Sequence, residues 1–139
     1  MLRLLPILLV ACATPAAAYT LDCKDPAGDL TYFEIVETFD DATGQYALVS
    51  TRLQIMEEMT YTSAQDPVNG GDISFVNVTQ DTSTLDFDLH LLNQKEGYDV
   101  IVASVRLNRT QHGAQEGVGG TLNVGGGGAF GVACTKVEG

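Results

Sequence analysis

An alternating run in the middle of the chain, LDFDLHLL (85–92), carries the side chains best suited to chemistry. Successive side chains on a β-strand point to opposite faces, so Asp86, Asp88 and His90 would share one face. Two carboxylates and an imidazole are metal ligands in principle. Alternate side chains on a strand lie about 6.5–7 Å apart, however, so three in a row splay and do not converge on one ion. We therefore predict a solvated strand face here and no metal site.

A glycine-rich stretch near the C-terminus, EGVGGTLNVGGGGAFG (116–131), contains eight glycines. Glycine-rich loops bind phosphate when they lead from a strand into the N-terminus of a helix. No helical pattern follows this stretch, and no lysine comes directly after the glycines. The composition favours a flexible hairpin, in which glycine permits positive φ angles and close approach of strands.

The other nucleophiles and bases form no recognisable catalytic motif. Five serines lie outside any Gly-x-Ser-x-Gly sequence, and His90 and His112 are not part of a His-Glu-x-x-His zinc motif. The acidic pairs Asp40–Asp41 and Glu57–Glu58 would face opposite sides of a strand. We predict no catalytic residue, no metal ligand and no cofactor. An enzyme whose carboxylates come together from distant strands stays an alternative.

Two of the three cysteines are placed to form a disulfide. Cys12 lies in the N-terminal apolar segment, which leaves Cys23 and Cys134 near the two ends of the remaining chain. An exported chain with two such cysteines most simply forms one bridge. Closing so long a loop stabilises the fold by roughly 4–5 kcal/mol in the chain-entropy model. The chain has no Cys-x-x-Cys, so we expect a structural role, not a redox role.

Residues 1–18 have the tripartite form of a secretory signal peptide. Arg3 is the positive n-region, residues 4–11 are a short apolar h-region, and Ala16 and Ala18 occupy the small-residue positions before a cut. The apolar run is far shorter than the roughly 20 residues of a membrane-spanning helix. We expect cleavage after Ala18, with no transmembrane segment after processing, and a periplasmic or secreted bacterial protein.

A competing signal overlaps the first one. The run Leu9–Cys12 resembles the lipobox at which bacterial lipoprotein precursors are cut, and that cut would leave a lipidated Cys12. The h-region would then be near the lower limit of the usual length of about 7–15 residues. Signal length therefore favours the free protein, with a lipoprotein anchored through Cys12 as the alternative.

The chain is strongly acidic, with seven basic and 18 acidic side chains and a net charge of −11. Removing the signal peptide takes away Arg3 and changes the balance to −12. Nucleic-acid binding needs a basic footprint, and anionic membrane surfaces attract basic segments, so neither is expected as a partner. The acidic residues are spread along the chain, which indicates a self-repelling, soluble surface.

The region after residue 18 alternates in polarity and predicts strands throughout. Alternation in YALVSTRLQI (46–55) and YDVIVASVRLN (98–108) assigns one face of each strand to the interior. The residues assigned to these faces are Ala47, Val49, Thr51, Leu53 and Ile55, and Ile101, Ala103, Val105 and Leu107. The eight predicted strands are 19–23, 30–39, 46–55, 73–80, 84–92, 98–108, 121–124 and 129–137.

Short connections between these strands imply antiparallel pairing, because a parallel crossover needs a dozen or more residues. We therefore predict one all-β domain over residues 19–139, with about eight antiparallel strands in a small barrel or barrel-like sandwich. The disulfide would then join the first and last strands.

The opening YTLDC (19–23), with a cysteine in the last strand, resembles the small periplasmic lysozyme inhibitors of the membrane-bound C-type family. The resemblance implies a compact antiparallel barrel tied by a cysteine bridge. The Ser-Gly-containing inhibitory loop of that family is not found, since ATGQY (42–46) matches it poorly. No functional residue is therefore carried across.

Two turn-rich segments, TSAQDPVNGGD (62–72) and RTQHGAQEGVGG (109–120), are expected to be loops at the rim of the β-scaffold, where binding sites are common. We predict an exported, non-catalytic binding or assembly module that recognises a protein or small ligand through these loops or a sheet edge.

Two alternative functions stay open. One is a small periplasmic hydrolase or metal-dependent enzyme, which would show a convergent, partly buried cluster around His90 or His112. The other is a structural subunit of an envelope, extracellular or photosynthetic assembly, which would show a long unpaired strand or a large apolar patch.

Overall fold

The computed structural model describes most of the chain after residue 16, and the described residues form ten β-strands. The described stretches are 17–28, 30–55, 59–62, 66–68, 71–93, 97–112 and 115–137. The strands are β1 (Ala17–Lys24), β2 (Thr31–Asp40), β3 (Gln45–Leu53), β4 (Met59–Thr62), β5 (Asp66–Val68), β6 (Gly71–Gln80), β7 (Thr84–Asn93), β8 (Tyr98–His112), β9 (Gln115–Val124) and β10 (Gly128–Val137). No helix long and apolar enough to cross a membrane occurs in these stretches.

Several sequence predictions fall outside the described residues. The predicted signal peptide, including Cys12, lies there apart from Ala17 and Ala18, which begin β1. The pair Glu57–Glu58 lies there as well.

The strands form one sheet in the order β4-β3-β2-β1-β10-β9-β8-β7-β6-β5. β4 also meets β6 in a parallel contact at Thr62 and Ser74, so the sheet curls into a nearly closed barrel. The predicted all-β, antiparallel, barrel-like fold is confirmed. Each of the eight predicted segments overlaps with one of the eight long strands, although 121–124 covers only the last part of β9, and the short strands β4 and β5 were not predicted.

The predicted disulfide joins the first and last strands. β1 and β10 pair antiparallel with Cys23 directly opposite Cys134. The bridge is formed, and the two Cα atoms lie 4.0 Å apart. The predicted pairing is therefore confirmed. Disulfides persist in oxidising compartments, so this one is typical of a protein that folds outside the cytoplasm.

Apolar side chains from alternate positions of the long strands fill the barrel interior. Fully burying one such side chain stabilises the fold by about 1.5–3 kcal/mol. The largest buried apolar side chains are Phe33, Ile35, Leu85, Phe87, Leu89, Val105, Leu107 and Leu122. The interior of the barrel is therefore a packed core for most of its length.

A β-bulge in β3 changes which of its side chains face inward. The register passes from Val36–Ser50 to Glu37–Leu48, so Val49 is the extra residue. Leu48 is therefore buried and Val49 is 42% exposed. The predicted face is right for Thr51 and Leu53, and Ile55 packs against the core, but it is wrong for Ala47 and Val49. Strict alternation cannot continue through an inserted residue.

A second irregularity in β8 has the same effect. The register passes from Leu89–Ala103 to His90–Ile101, which leaves Val102 as the extra residue. Ala103 is buried, as are Val105 and Leu107, so the prediction for these residues is confirmed. The prediction for Ile101 is wrong, since 47% of this residue is exposed.

The segment 109–120, predicted to be a loop, is mostly strand. β8 continues to His112 and β9 begins at Gln115, with Arg109 opposite Val118. The glycines that indicated a loop instead allow close strand contact, since a Cβ on Gly120 would lie 2.0 Å from the carbonyl oxygen of Arg106. The later glycines form the predicted hairpin between β9 and β10, with positive φ at Gly126.

The other predicted loop, 62–72, also contains strand residues. β4 ends at Thr62, β5 spans Asp66–Val68, and β6 begins at Gly71. The residues between these strands lie outside the described stretches.

Candidate binding site

The candidate site lies at one end of the barrel, which we call the β8–β9 end. Here β2, β6 and β8 end and β3, β7 and β9 begin, because neighbouring strands are antiparallel. The inward positions change from apolar to polar at Glu37 on β2 and at Arg109 on β8 as these two strands reach this end.

A buried ion pair between Glu37 on β2 and Arg109 on β8 is the centre of the site. Arg109 Nη1 donates to Glu37 Oε1 at 2.7 Å, and Nη2 donates to Oε2 at 2.6 Å. The two side chains are 0% and 2% exposed. This two-pronged geometry is the strongest form of an arginine–carboxylate contact. The pair joins two strands that are 72 residues apart in sequence.

Two further donors complete the hydrogen bonding of the Glu37 carboxylate. The hydroxyl of Tyr19 donates to Oε1, and Gln80 Nε2 donates to Oε2 at 2.8 Å. Each carboxylate oxygen therefore accepts two hydrogen bonds. Burial of an ionised group is tolerated when it is paired and hydrogen-bonded in this way. Because the charges of Glu37 and Arg109 compensate each other, neither side chain is well suited to act as a catalytic acid or base.

The aromatic ring of Tyr46 lies against the Arg109 guanidinium. The guanidinium carbon is 4.1 Å from the ring centroid, a cation–π contact. Tyr46 also packs on Phe39, with centroids 4.7 Å apart. The bulge at Val49 shifts the alternation of β3 by one residue. Tyr46 and Leu48 therefore both face inward.

Electrostatics hold these groups in fixed protonation states. Burial and the hydrogen bond to Glu37 raise the pKa of Tyr19 well above that of a free phenol. Burial and the nearby charge of Glu116 raise the pKa of Tyr46. Burial acts to lower the pKa of Arg109, but the hydrogen bonds and charge of Glu37 outweigh it and raise that pKa overall. At neutral pH the site therefore contains two neutral phenols and a guanidinium cation.

A cavity of about 320 Å³ opens beside this cluster. It is lined by Phe39, Tyr46, Thr82, Arg109, Thr110, Gln111 and Glu116. This volume is at the lower end of the range for small-molecule sites, about 300–1,000 Å³. Four of the lining residues belong to the segment 109–120, which was predicted to carry recognition.

One buried donor of the ion pair has no partner. Arg109 Nε is buried and makes no hydrogen bond to any residue that the structure describes. A buried donor without an acceptor costs about 1–3 kcal/mol, so such groups call for an explanation.

Sequence reasoning missed this site for two reasons. Glu37 lies in a predicted strand but was assigned to neither face, and Arg109 was placed in a loop. Glu37 and Arg109 could both have been assigned to the interior by extending the alternation of the apolar residues along their strands. Glu37 continues the inward series of Phe33 and Ile35, and Arg109 continues that of Val105 and Leu107.

A second cavity, about 480 Å³ and more open, lies along β8 and the β9–β10 hairpin. Its lining includes Ile101, Val102, Ser104 and Asn123 but no charged side chain. It therefore offers fewer groups that could select a ligand.

The prediction that Asp86, Asp88 and His90 form a solvated face of β7 is wrong for two of these three residues. Asp88 and His90 are each 6% exposed, and only Asp86 is partly open to solvent. Arg106 Nη2 donates to Asp88 Oδ1 at 2.9 Å, and His90 Nδ1 lies 2.6 Å from Asp99 Oδ1. Both partners lie on β8, and they make it possible to bury Asp88 and His90. The sequence of β7 alone could not show this.

Among the residues described, no three His, Cys, Asp or Glu side chains are grouped as ligands for a metal ion. His112 ends β8, and its side chain is outside the described part of the structure.

Comparison with known protein families, with curated proteins and with solved structures finds no match to this chain.

Proposed function

We propose that the protein is an exported, non-catalytic binding module that holds a small ligand in the cavity at the β8–β9 end. The observation that carries this proposal is the cavity of about 320 Å³ beside the buried pair of Glu37 and Arg109. Ligand sites typically combine apolar lining with a few well-placed polar groups. Here Phe39 and Tyr46 supply the apolar part, and Arg109 with Gln111 and Glu116 supplies the polar part.

The site is held in position before any ligand arrives. Arg109 is fixed by two hydrogen bonds to Glu37 and by the ring of Tyr46, so its side chain has little freedom left to lose. Preorganisation of this kind favours binding because ordering costs are already met in the free protein.

Export is part of the proposal. The disulfide between Cys23 and Cys134 fits an oxidising compartment, and residues 1–18 fit a signal peptide. We propose a periplasmic or secreted protein, with anchoring through a lipidated Cys12 as the alternative.

The location of binding can be tested with 4-methylbenzamide, a neutral aromatic amide that carries a carbonyl acceptor. Titration followed by ¹H–¹⁵N NMR should shift the amides of Tyr46, Arg109 and Gln111. The variant Thr82→Phe narrows the cavity mouth and should weaken binding at least fivefold. Thr135→Phe places the same ring on the exposed outer side of β10 and should leave binding unchanged. Absence of shifts around the cavity would contradict the proposal.

A second candidate function, a serine-type hydrolase, is favoured by the contact between His90 and Asp99. A carboxylate on Nδ1 is the arrangement that orients a catalytic imidazole. Ser74 is the partner of His90 in the register of β6 and β7. A nucleophile, a base and an orienting carboxylate therefore occupy the neighbouring strands β6, β7 and β8. This candidate ranks second because none of the three residues is among those that line the cavity beside Arg109.

Labelling with a fluorophosphonate probe decides whether Ser74 is a nucleophile. A hydrolase of this type should be labelled, and Ser74→Ala should abolish the label. The control is Ser104→Ala, which removes another strand serine from β8. An unlabelled wild-type protein would contradict the second candidate.

A further inference from the structure

We propose that the cavity at the β8–β9 end selects neutral or cationic ligands and rejects anions. The inference rests on the proposed binding function and gives the ligand its chemical class. A cationic group on the ligand pairs with Glu116 at the rim.

The arginine in this wall is not available as an anion receptor. Anions are usually bound by two parallel hydrogen bonds from one guanidinium. In this protein both terminal nitrogens of Arg109 already donate to Glu37, whose charge balances the guanidinium. The other N–H groups of Arg109 therefore have no net positive charge behind them.

The remaining charge of the wall is negative. Glu116 lines the cavity, and its exposed position puts the carboxylate at the rim. Its charge reaches the interior, since it is one cause of the raised pKa of Tyr46. Lys136 is at the same barrel end but stacks on the ring of Tyr19, 4.1 Å from its centroid, and does not line the cavity.

The charge of the whole chain acts in the same direction. A net charge of −11 gives the molecule a negative potential that repels anions and attracts cations. An anionic ligand would have to overcome both this potential and the charge of Glu116. A cationic ligand gains from both.

Three benzamides that differ only in one para group provide the test. These are 4-(aminomethyl)benzamide, 4-methylbenzamide and 4-(carboxymethyl)benzamide, which are cationic, neutral and anionic at neutral pH. Each carries the same ring and the same carbonyl acceptor. We expect the cation to bind about two- to fivefold more tightly than the neutral compound, the range of a partly exposed ion pair. The anion should bind most weakly.

Two charge variants assign the preference to Glu116. Glu116→Gln should remove the advantage of the cation over the neutral compound. Asp41→Asn is the control, because Asp41 is exposed in the turn after β2 and does not line the cavity. It makes the same change in total charge and should preserve most of the preference.

The outcomes separate this inference from the function on which it rests. Binding of the anion at the cavity as tightly as the cation would overturn the charge selectivity and leave the binding function intact. Absence of cavity shifts with all three compounds would overturn both. An equal loss of preference in Glu116→Gln and Asp41→Asn would overturn the role of Glu116.

Discussion

At the scale of single residues, we expect substitutions in the pair of Glu37 and Arg109 to lower the free energy of unfolding the most. Replacing one member of a buried ion pair leaves the other charge without compensation and costs about 3–5 kcal/mol. Replacing both by apolar residues of similar volume is much less costly, because the desolvation of both charges is removed.

We therefore expect strong coupling in a double-mutant cycle of Glu37→Leu and Arg109→Met. Each single variant should lose about 3–5 kcal/mol in the free energy of unfolding, and the double variant much less than the sum. Urea denaturation measures all four proteins. The matched control is the outer pair of Glu34 and Arg52, whose side chains are 29% and 43% exposed. Its coupling should not exceed about 1 kcal/mol, and equal coupling in the two cycles would contradict our account.

Asp81, in the turn between β6 and β7, predicts a pH dependence of stability. Hydrogen bonds from the backbone N–H groups of Ser83 and Thr84 lower the pKa of Asp81 from 3.8 to about 2. A carboxyl whose pKa is lower in the folded state stabilises the fold above its unfolded pKa. That stabilisation is lost as the pH falls from about 4 to about 2.

The advantage of the wild type over Asp81→Asn should therefore be constant above about pH 5 and shrink as the pH approaches 2. Urea denaturation across this pH range measures the difference. NMR titration of the Asp81 carboxyl carbon gives its pKa directly. A midpoint near the ordinary value of 3.8 would contradict the role of the two backbone donors.

At the scale of strands, alternation predicted which segments pair but not where a strand gains a residue. The inward faces of β3 and β8 were right for Leu53 and Val105 and wrong for Val49 and Ile101, beyond a bulge. A bulge is set by the two strands together, so the sequence of one strand does not show it. The same limit hid the site, since Tyr46 faces Arg109 because of the bulge in β3.

The glycines of β9 and β10 offer a matched pair of substitutions. Gly120→Ala would bring a Cβ within 2.0 Å of the carbonyl oxygen of Arg106, a backbone atom that cannot rotate away. We expect a loss of about 1–3 kcal/mol, as for other overpacking changes. Gly131→Ala meets nothing within 4 Å and should be neutral or slightly stabilising. Thermal or urea unfolding compares the two, and equal effects would contradict the close approach of β8 and β9.

At the scale of the whole molecule, the barrel has one firm seam and one slight contact. β1 and β10 pair over five residues and are bridged by Cys23 and Cys134, whereas β4 and β6 meet at one residue pair. The cysteine positions predicted the firm seam. The cavity was not predictable in the same way, because its wall combines residues of β2, β3, β8 and β9 with Thr82 from a turn. Which strands share a barrel end follows only from the closed topology.

Removing the bridge should therefore weaken the whole barrel. We expect the double variant Cys23→Ala, Cys134→Ala to lose about 2–4 kcal/mol in the free energy of unfolding. Reduction of the wild type should cause a similar loss, which separates the effect of the bridge from that of the alanines. An unchanged urea midpoint in both cases would contradict the structural role.

The alternative of a structural subunit in a larger assembly stays a prediction. Val100 and Ile101 are exposed neighbours on β8, 45% and 47%, and other exposed apolar residues lie on β3, β6 and β10. Purification of the tagged protein from its native host, followed by sizing, would show whether it belongs to a larger complex.

The most direct test of the central claim is the Arg109 Nε–H signal in a ¹H–¹⁵N spectrum during titration with 4-methylbenzamide. Our account predicts that this signal shifts as the compound saturates the cavity that Arg109 lines. The Nε–H signal of Arg52, whose guanidinium pairs with Glu34 on the outer face, should stay in place. An Arg109 signal that does not move while the compound saturates the protein would contradict the account.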